Sequence, residues 1–353
     1  MNEDWTLRSS NPHTMQSDHP LTNVPFTRLL SPDAPRMAYR RRVEEAKSVV
    51  HWGQRKLLLS EIEFLVSADV GGCVVVYAGA APGTHLRLLV SLFPSHTFVL
   101  VDPAPFSRLP KSKRIHIRQC MFTDALAAEL RREFSDQRLL FISDVRTSDP
   151  LFHAAEDSVE RIRNDMVSQA RWHLILRPFR SLLKFRLPYT PGCTEYFKGD
   201  LLLPVWGPAT TTECRLSVAT DPGIQLYDHA HHEQKMFHFN TIARVALYPH
   251  AVCGCGIDHC YDCTAEVTIL GAYLRCMRRR PVTPESIAKL SASISAGIST
   301  RRTLAHGNLD PELKTKVMRR QRWRDGIPRY DEVQKIASCV AFTAQHHPYS
   351  SGP

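Results

Sequence analysis

The chain has 353 residues, 43% of them hydrophobic, enough for one large domain or two small ones with a buried core. Forty-five Lys and Arg against 35 Asp and Glu give a formal net charge of +10, which favours polyanionic partners, nucleic acid first, although a basic solvated surface produces the same balance. No apolar run reaches membrane-span length and the N-terminus has no apolar signal core, so no membrane partner is expected and the ten cysteines read as reduced thiols in the cytoplasm, with the nucleus as the alternative.

Residues 1–35 are polar and punctuated by Pro12, Pro20, Pro25, Pro32 and Pro35, the composition of a disordered leader. "RMAYRRRVEEAKSVVHW" and "GQRKLLLSEIEFLVS" read as helical, the second with Leu58, Ile62 and Leu65 at helical spacing. Strands and helices then alternate. "CVVVYAG", "HTFVLVD", "RIHIR" and "RLLFISD" are strands; "THLRLLVSLF", "TDALAAELRREF" and "AEDSVERIRNDMVSQARWHLIL" are helices, the second capped by Thr123 and Asp124. Near-continuous apolar strands alternating with helices predict a mostly parallel sheet covered on both faces. Past residue 180, "SLLKFRLPY", "DLLLPVWGP" and "ECRLSVA" follow one another as strands with short links, an antiparallel ending to the α/β core. From 298 to 353 the chain is basic and irregular, an extension rather than a second catalytic domain; residues 36–297 form the domain.

The stretch "VVVYAGAAPGTHLRLL" (74–89) is a strand turning on glycine into a helix. A dinucleotide site would show G-x-G-x-x-G, with bare amides facing a pyrophosphate. Here Gly79 and Gly83 are four apart and Ala81 and Pro82 stand where those amides would be, which favours a ligand without phosphates at this turn, such as S-adenosylmethionine. Asp102 ends the next strand at about the twenty-residue offset at which a carboxylate binds both ribose hydroxyls. An ordinary α/β turn with a strand-end Asp is the competing reading.

Six stretches, in order, resemble the poxvirus-type cap-specific mRNA nucleoside-2′-O-methyltransferases, a family that also serves as poly(A) polymerase small subunits. They are "GQRKLLLSEIEFL", "VVYAGAAPGTHLRLL", "LLFISDVR", "SLLKFRLPY", "ECRL" and "EQKMFHFNTI", spread over roughly residues 37–297. The resemblance implies a Rossmann-like class I fold dependent on S-adenosylmethionine, capped mRNA as substrate, and a poly(A) polymerase catalytic subunit as a partner, with the virion as a further location. It implies a Lys-Asp-Lys-Glu catalytic set at Lys56, Asp144, Lys184 and Glu213. Singly, each has a plain reading as a surface or strand-end charge. For the cofactor it points to Gln54, Tyr77, Gly79, Gly83, His85, Asp102 and Arg146. For the cap and RNA it points to Tyr39, Tyr189, Glu233 and Arg186. Three family positions differ: Ala104 stands for an arginine and Thr210 for a tyrosine, and a second guanine-binding carboxylate falls near Pro191, with Glu195 as a stand-in.

These residue types suit the reaction. A sulfonium methyl is already activated; the obstacle is a protonated ribose 2′-OH, whose proton a lysine can take or steer if desolvation and nearby positive charge lower its ordinary value of about 10.4. A 7-methylguanine is a cationic purine that aromatic faces single out from guanine. Two other readings remain: a cap-independent RNA ribose methyltransferase, which shares the tetrad, and a non-catalytic RNA-binding processivity subunit, which would be expected to have lost it. Finally, "HAVCGCGIDHCYDC" brings together Cys253, Cys255, Cys260 and Cys263; the last two have metal-knuckle spacing, so a structural zinc stands against a reduced cysteine-rich loop.

Overall fold

The computed structural model describes residues 24–39, 50–68, 71–147, 155–207, 211–252, 257, 259–278 and 282–298. A seven-stranded sheet is the core: β1 (Val74–Ala78), β2 (Thr97–Val101), β3 (Ile115–Arg118), β4 (Leu139–Ser143), β5 (Arg180–Phe185), β7 (Asp200–Leu202) and β8 (Cys214–Ala219), in the order β3-β2-β1-β4-β5-β8-β7. β1 to β5 are parallel; β8 runs antiparallel to β5, and β7 antiparallel to β8. β1 and β4 are buried at every position, as unbroken apolar strands in a sheet covered on both faces must be. The mostly parallel sheet with an antiparallel ending is thus the one the apolar pattern predicts, and its strand order is the Rossmann-like one that the resemblance implies.

One helix group is α1 (Val50–Ala68) with α2 (Leu86–Leu92), α6 (Tyr261–Arg278) and α7 (Pro284–Ile298). Another is α3 (Asp124–Glu133) with α4 (Ala155–Leu176), which packs on β4 and β5. Thr123 caps α3 by accepting from the Leu126 amide, as its position before the apolar run predicts. The chain leaves β1 toward β2 and β3, then returns to β4 on the other side of β1. This reversal opens a crevice beyond the carboxyl ends of β1 and β4, where doubly wound folds bind ligands.

Three features differ from the sequence reading. β6 (Cys193–Phe197) pairs with β9 (Ile224–Asp228) as a separate two-stranded sheet, followed by α5 (His229–Thr241). Residues 36–39, assigned there to a helix, are not helical. Residues 24–35, read from the sequence as part of a disordered leader, are held against the domain. Leu29 bridges Leu202 at the β7 edge, and Arg28 is clamped by both Glu63 oxygens (2.9 and 2.8 Å), the Tyr261 hydroxyl and the Leu203 carbonyl. A polar, proline-rich stretch is ordered here because an open sheet edge and a buried carboxylate supply the partners its own sequence lacks. Residues 1–23 and 299–353 lie outside the described residues.

Candidate active site

The four catalytic candidates come from four separate elements and meet at one edge of the sheet. Asp144 follows β4 and Lys184 lies near the end of β5. Glu213 precedes β8, and because β8 is antiparallel its beginning lies at the same edge as the ends of β4 and β5. Lys56 comes from the first half of α1. Lys184 Nζ donates to Asp144 Oδ1 at 2.9 Å and lies 3.7 Å from Glu213 Oε2; Lys56 Nζ donates to Glu213 Oε1 at 2.9 Å. A fifth charge joins them: Arg215 donates to Asp144 Oδ1 at 2.6 Å and lies 3.7 Å from Glu213 Oε1. Its signal in the sequence is the two-residue spacing from Glu213, which in extended chain turns both side chains the same way, and its register opposite Lys184 completes the pairing.

Three cations therefore surround two carboxylates in a largely buried cluster. Burial pushes the Asp144 carboxyl up, but the Arg215 guanidinium and then the Lys184 ammonium outweigh it and hold Asp144 at about 2. Burial acts on Glu213 in the same way, and Lys184, Lys56 and Arg215 together hold it well below the usual carboxylate range. Both carboxylates are thus ionised and act as fixed acceptors. Gln169 of α4 accepts from the Lys184 amide (3.1 Å) and donates to its carbonyl (3.2 Å), locking the strand that carries the lysine.

The glycine turn lies across the same crevice. Gly79 has φ +77°, and a Cβ there would sit 2.7 Å from the Val145 nitrogen and 2.8 Å from the Asp144 carbonyl carbon, so this glycine lets the Asp144 backbone close on the end of β1. Asp102 accepts from the Ala81 amide at 3.1 Å and the Ala104 amide at 2.8 Å. Ala81 is thereby occupied and Pro82 has no amide, which removes the donors a pyrophosphate would need.

The other cofactor candidates divide. Tyr77 and His85 are enclosed, at 1% and 2% exposure, so their side chains line the interior behind the turn and not a ligand surface. Both converge on Glu61 of α1, which the sequence reading did not single out: Glu61 Oε1 accepts from Tyr77 at 2.7 Å and meets His85 Nε2 at 2.9 Å. Gln54 Oε1 accepts from the Thr84 hydroxyl at 2.6 Å and meets His85 Nδ1 at 2.8 Å. Arg146 is exposed and shares a pocket with Lys184, Arg186, Asp165 and Gln169.

Tyr189 follows β5 with a 52% exposed side chain; the Arg186 guanidinium lies over its ring at 5.2 Å and the Thr212 hydroxyl reaches its oxygen at 3.5 Å. Thr212 belongs to the segment entering β8, which α5 secures: His232 donates to the Thr212 carbonyl (2.9 Å) and Asn240 to the Thr211 carbonyl (2.9 Å). Burial holds the His232 imidazole down at about 4, so it serves as a neutral donor. Glu233 sits beside it on α5, its carboxyl raised by burial. Tyr39 packs edge-on against Phe237, one turn along α5 from Glu233. Glu195 is exposed on β6, opposite Leu226.

Cys260 and Cys263 are buried at the start of α6, whereas Cys253 and Cys255 lie outside the described residues, as does Thr210. Among the described residues no group of three or more His, Cys, Asp or Glu side chains is arranged to hold a metal, so the zinc reading has no structural support.

A parallel sheet with an ion-paired Lys-Asp-Lys-Glu cluster at its carboxyl edge, beside a glycine turn and a strand-end aspartate, defines a Rossmann-like protein with an enzyme-type cleft. The family model described as "Poly A polymerase regulatory subunit" matches residues 33–254, and the chain belongs to this family. It is 31% identical over 225 residues to the myxoma virus (strain Lausanne) cap-specific mRNA (nucleoside-2′-O-)-methyltransferase, covering 57% of this chain and 64% of the relative. It is 29% identical over 212 residues to the fowlpox virus (strain NVSL) protein of the same name, covering 54% and 68%. The chain thus spans just under two thirds of the myxoma relative's length.

Proposed function

We propose that this protein transfers a methyl group from S-adenosylmethionine to the ribose 2′-OH of the first transcribed nucleotide of capped mRNA; the names of its relatives describe those proteins as cap-specific mRNA nucleoside-2′-O-methyltransferases. The observation that carries the reading is the convergence of Lys56, Asp144, Lys184 and Glu213 in one chain of ion pairs facing the turn and Asp102.

The residues present fit the cofactor. An ionised carboxylate has about four lone-pair sites. Asp102 uses two of them on backbone amides, which leaves two for a pair of ribose hydroxyls. The turn between Gly79 and Gly83 offers a small-residue wall without phosphate donors. When bound, S-adenosylmethionine supplies a methyl on a cationic sulfur. The protein's task is to present the ribose oxygen. Asp144 and Glu213, both held as carboxylates, fix the Lys184 amine between them. Lys184 steers the hydroxyl at Nζ and, once it has released its own proton to solvent, takes the hydroxyl proton, so that an oxygen lone pair points at the methyl. Lys56 and Arg215 hold Glu213 and Asp144 in place and keep the cluster's charge positive, which suits a site crossed by an RNA backbone.

Selecting the first nucleotide calls for a pocket one cap-length away. The exposed Tyr189 ring, Glu233 on α5 and Tyr39 beside the same helix support a slot that stacks on a cationic base and accepts from its N1 and N2 donors. The family match supports a second role, as the regulatory subunit of a poly(A) polymerase bound to its catalytic subunit; the two roles are compatible in one chain. Methyl transfer from labelled S-adenosylmethionine to short RNAs with N7-methylated, unmethylated or no cap tests the reading. Preferential transfer to N7-methylated capped RNA is expected. Equal rates on all three would replace it with a cap-independent ribose methyltransferase, and no transfer to any would leave the subunit role alone.

A further inference from the structure

Glu61 sits behind the glycine turn with 1% exposure, and all its hydrogen bonding runs through one oxygen. Oε1 accepts from the Tyr77 hydroxyl and meets His85 Nε2; Oε2 is buried without a hydrogen-bond partner among the described residues. A buried carboxylate kept only to fasten the core would engage both oxygens, because an unpaired one carries its full desolvation cost. The two partners of Oε1 are the side chains on either side of the turn. Tyr77 is on β1, two residues before Gly79; His85 caps α2, two residues after Gly83, and its carbonyl accepts from the Leu88 and Leu89 amides. One oxygen therefore clasps both ends of the loop.

The protons can be placed as well. Gln54 lies two turns before Glu61 on α1, and its Oε1 accepts from the His85 backbone amide (3.3 Å), which identifies that atom as the acceptor. His85 Nδ1, 2.8 Å from the same atom, must then donate. His85 Nε2 faces the Glu61 oxygen that also accepts from Tyr77, so one proton joins the ring to the carboxyl. The groups around the ring are Gln54 and Glu61 from α1 and Thr84 from the turn, with Tyr77 from β1 reached through Glu61; Asp144 and Arg215 act in turn on the Tyr77 hydroxyl.

We infer that Glu61 is a positioning residue of the cofactor site, whose Oε1 ties Tyr77 to His85 and so holds the turn between them in the shape that receives S-adenosylmethionine. This rests on the proposed cofactor reading and extends it. It also accounts for why Tyr77 and His85 are enclosed: they shape the turn from behind.

The test is calorimetric binding of S-adenosylmethionine to the full chain, as wild type, Glu61→Leu and Glu61→Gln, with thermal melting as a folding control. Leucine removes the clasp, whereas glutamine keeps the size and one acceptor. Glu61→Leu should bind about tenfold more weakly, and Glu61→Gln should recover most of the affinity. Unchanged affinity in Glu61→Leu would overturn the inference, as would a loss just as large in Glu61→Gln. Wild type that does not bind would instead remove the cofactor reading. If Glu61→Leu does not fold, Tyr77→Phe, which removes one arm of the clasp, decides: weaker binding at an unchanged melting temperature is expected, and unchanged binding refutes the assignment.

Discussion

Asp144→Asn removes one charge from the cluster while keeping its shape. In the folded protein the Asp144 carboxyl is lowered from 3.8 to about 2, against the push of burial, by Arg215 and Lys184. That gap corresponds to roughly 2–3 kcal/mol of folding free energy at about 1.36 kcal/mol per unit. Asp144 is only 17% exposed, so solvent screens little of it. A depressed carboxyl stabilises the fold above its unfolded value and loses that contribution as the pH falls through its folded value. The full amount should be present at pH 7, and about half of it should remain at pH about 3. Urea unfolding of wild type and variant at both pH values measures this: the variant should be less stable at pH 7, and the difference should narrow by roughly half at pH about 3. A difference that stays constant with pH would refute the idea that Asp144 is held ionised by its neighbours. In the same variant, methyl transfer should drop by about a hundredfold or more, because the Lys184 amine loses its nearest anchor, while S-adenosylmethionine still binds.

Tyr189→Ala should remove most of a preference of about tenfold, worth about 1.4 kcal/mol, for N7-methylated over unmethylated capped RNA, leaving transfer to uncapped RNA nearly unchanged; competition between the two capped RNAs checks it. Gly79→Ala forces a Cβ into the backbone of Asp144 and Val145 at a positive φ, so it should lower the melting temperature and weaken S-adenosylmethionine binding together. Arg28→Met leaves Glu63 buried without its bidentate partner and should destabilise the domain by about 3–5 kcal/mol, read by urea unfolding, whereas Arg28→Met with Glu63→Leu should recover much of the loss.

The alternation of apolar strands and helices, the cap at Thr123 and the glycine turn before α2 are local properties, and each was legible residue by residue. The identities of Lys56, Asp144, Lys184 and Glu213 were legible too, though their meeting was not: it depends on β8 running antiparallel to β5, which brings the start of one strand to the end of the other. Arg215 enters the cluster through that same register. Glu61 carries no local signal; only the packing of β1 and the turn against α1 gives it its partners. Tyr77 and His85 illustrate the reverse. Their positions beside the turn were evident, but burial, which only the packed helices decide, turns their side chains away from a ligand. The segment 24–35 has the composition of a free chain and is ordered by the β7 edge and Glu63, partners far away in sequence. Periodicity and turn chemistry act over a few residues and are written in the sequence; strand order, register and burial join residues tens to hundreds of positions apart, and only the folded chain specifies which charges share one low-dielectric site.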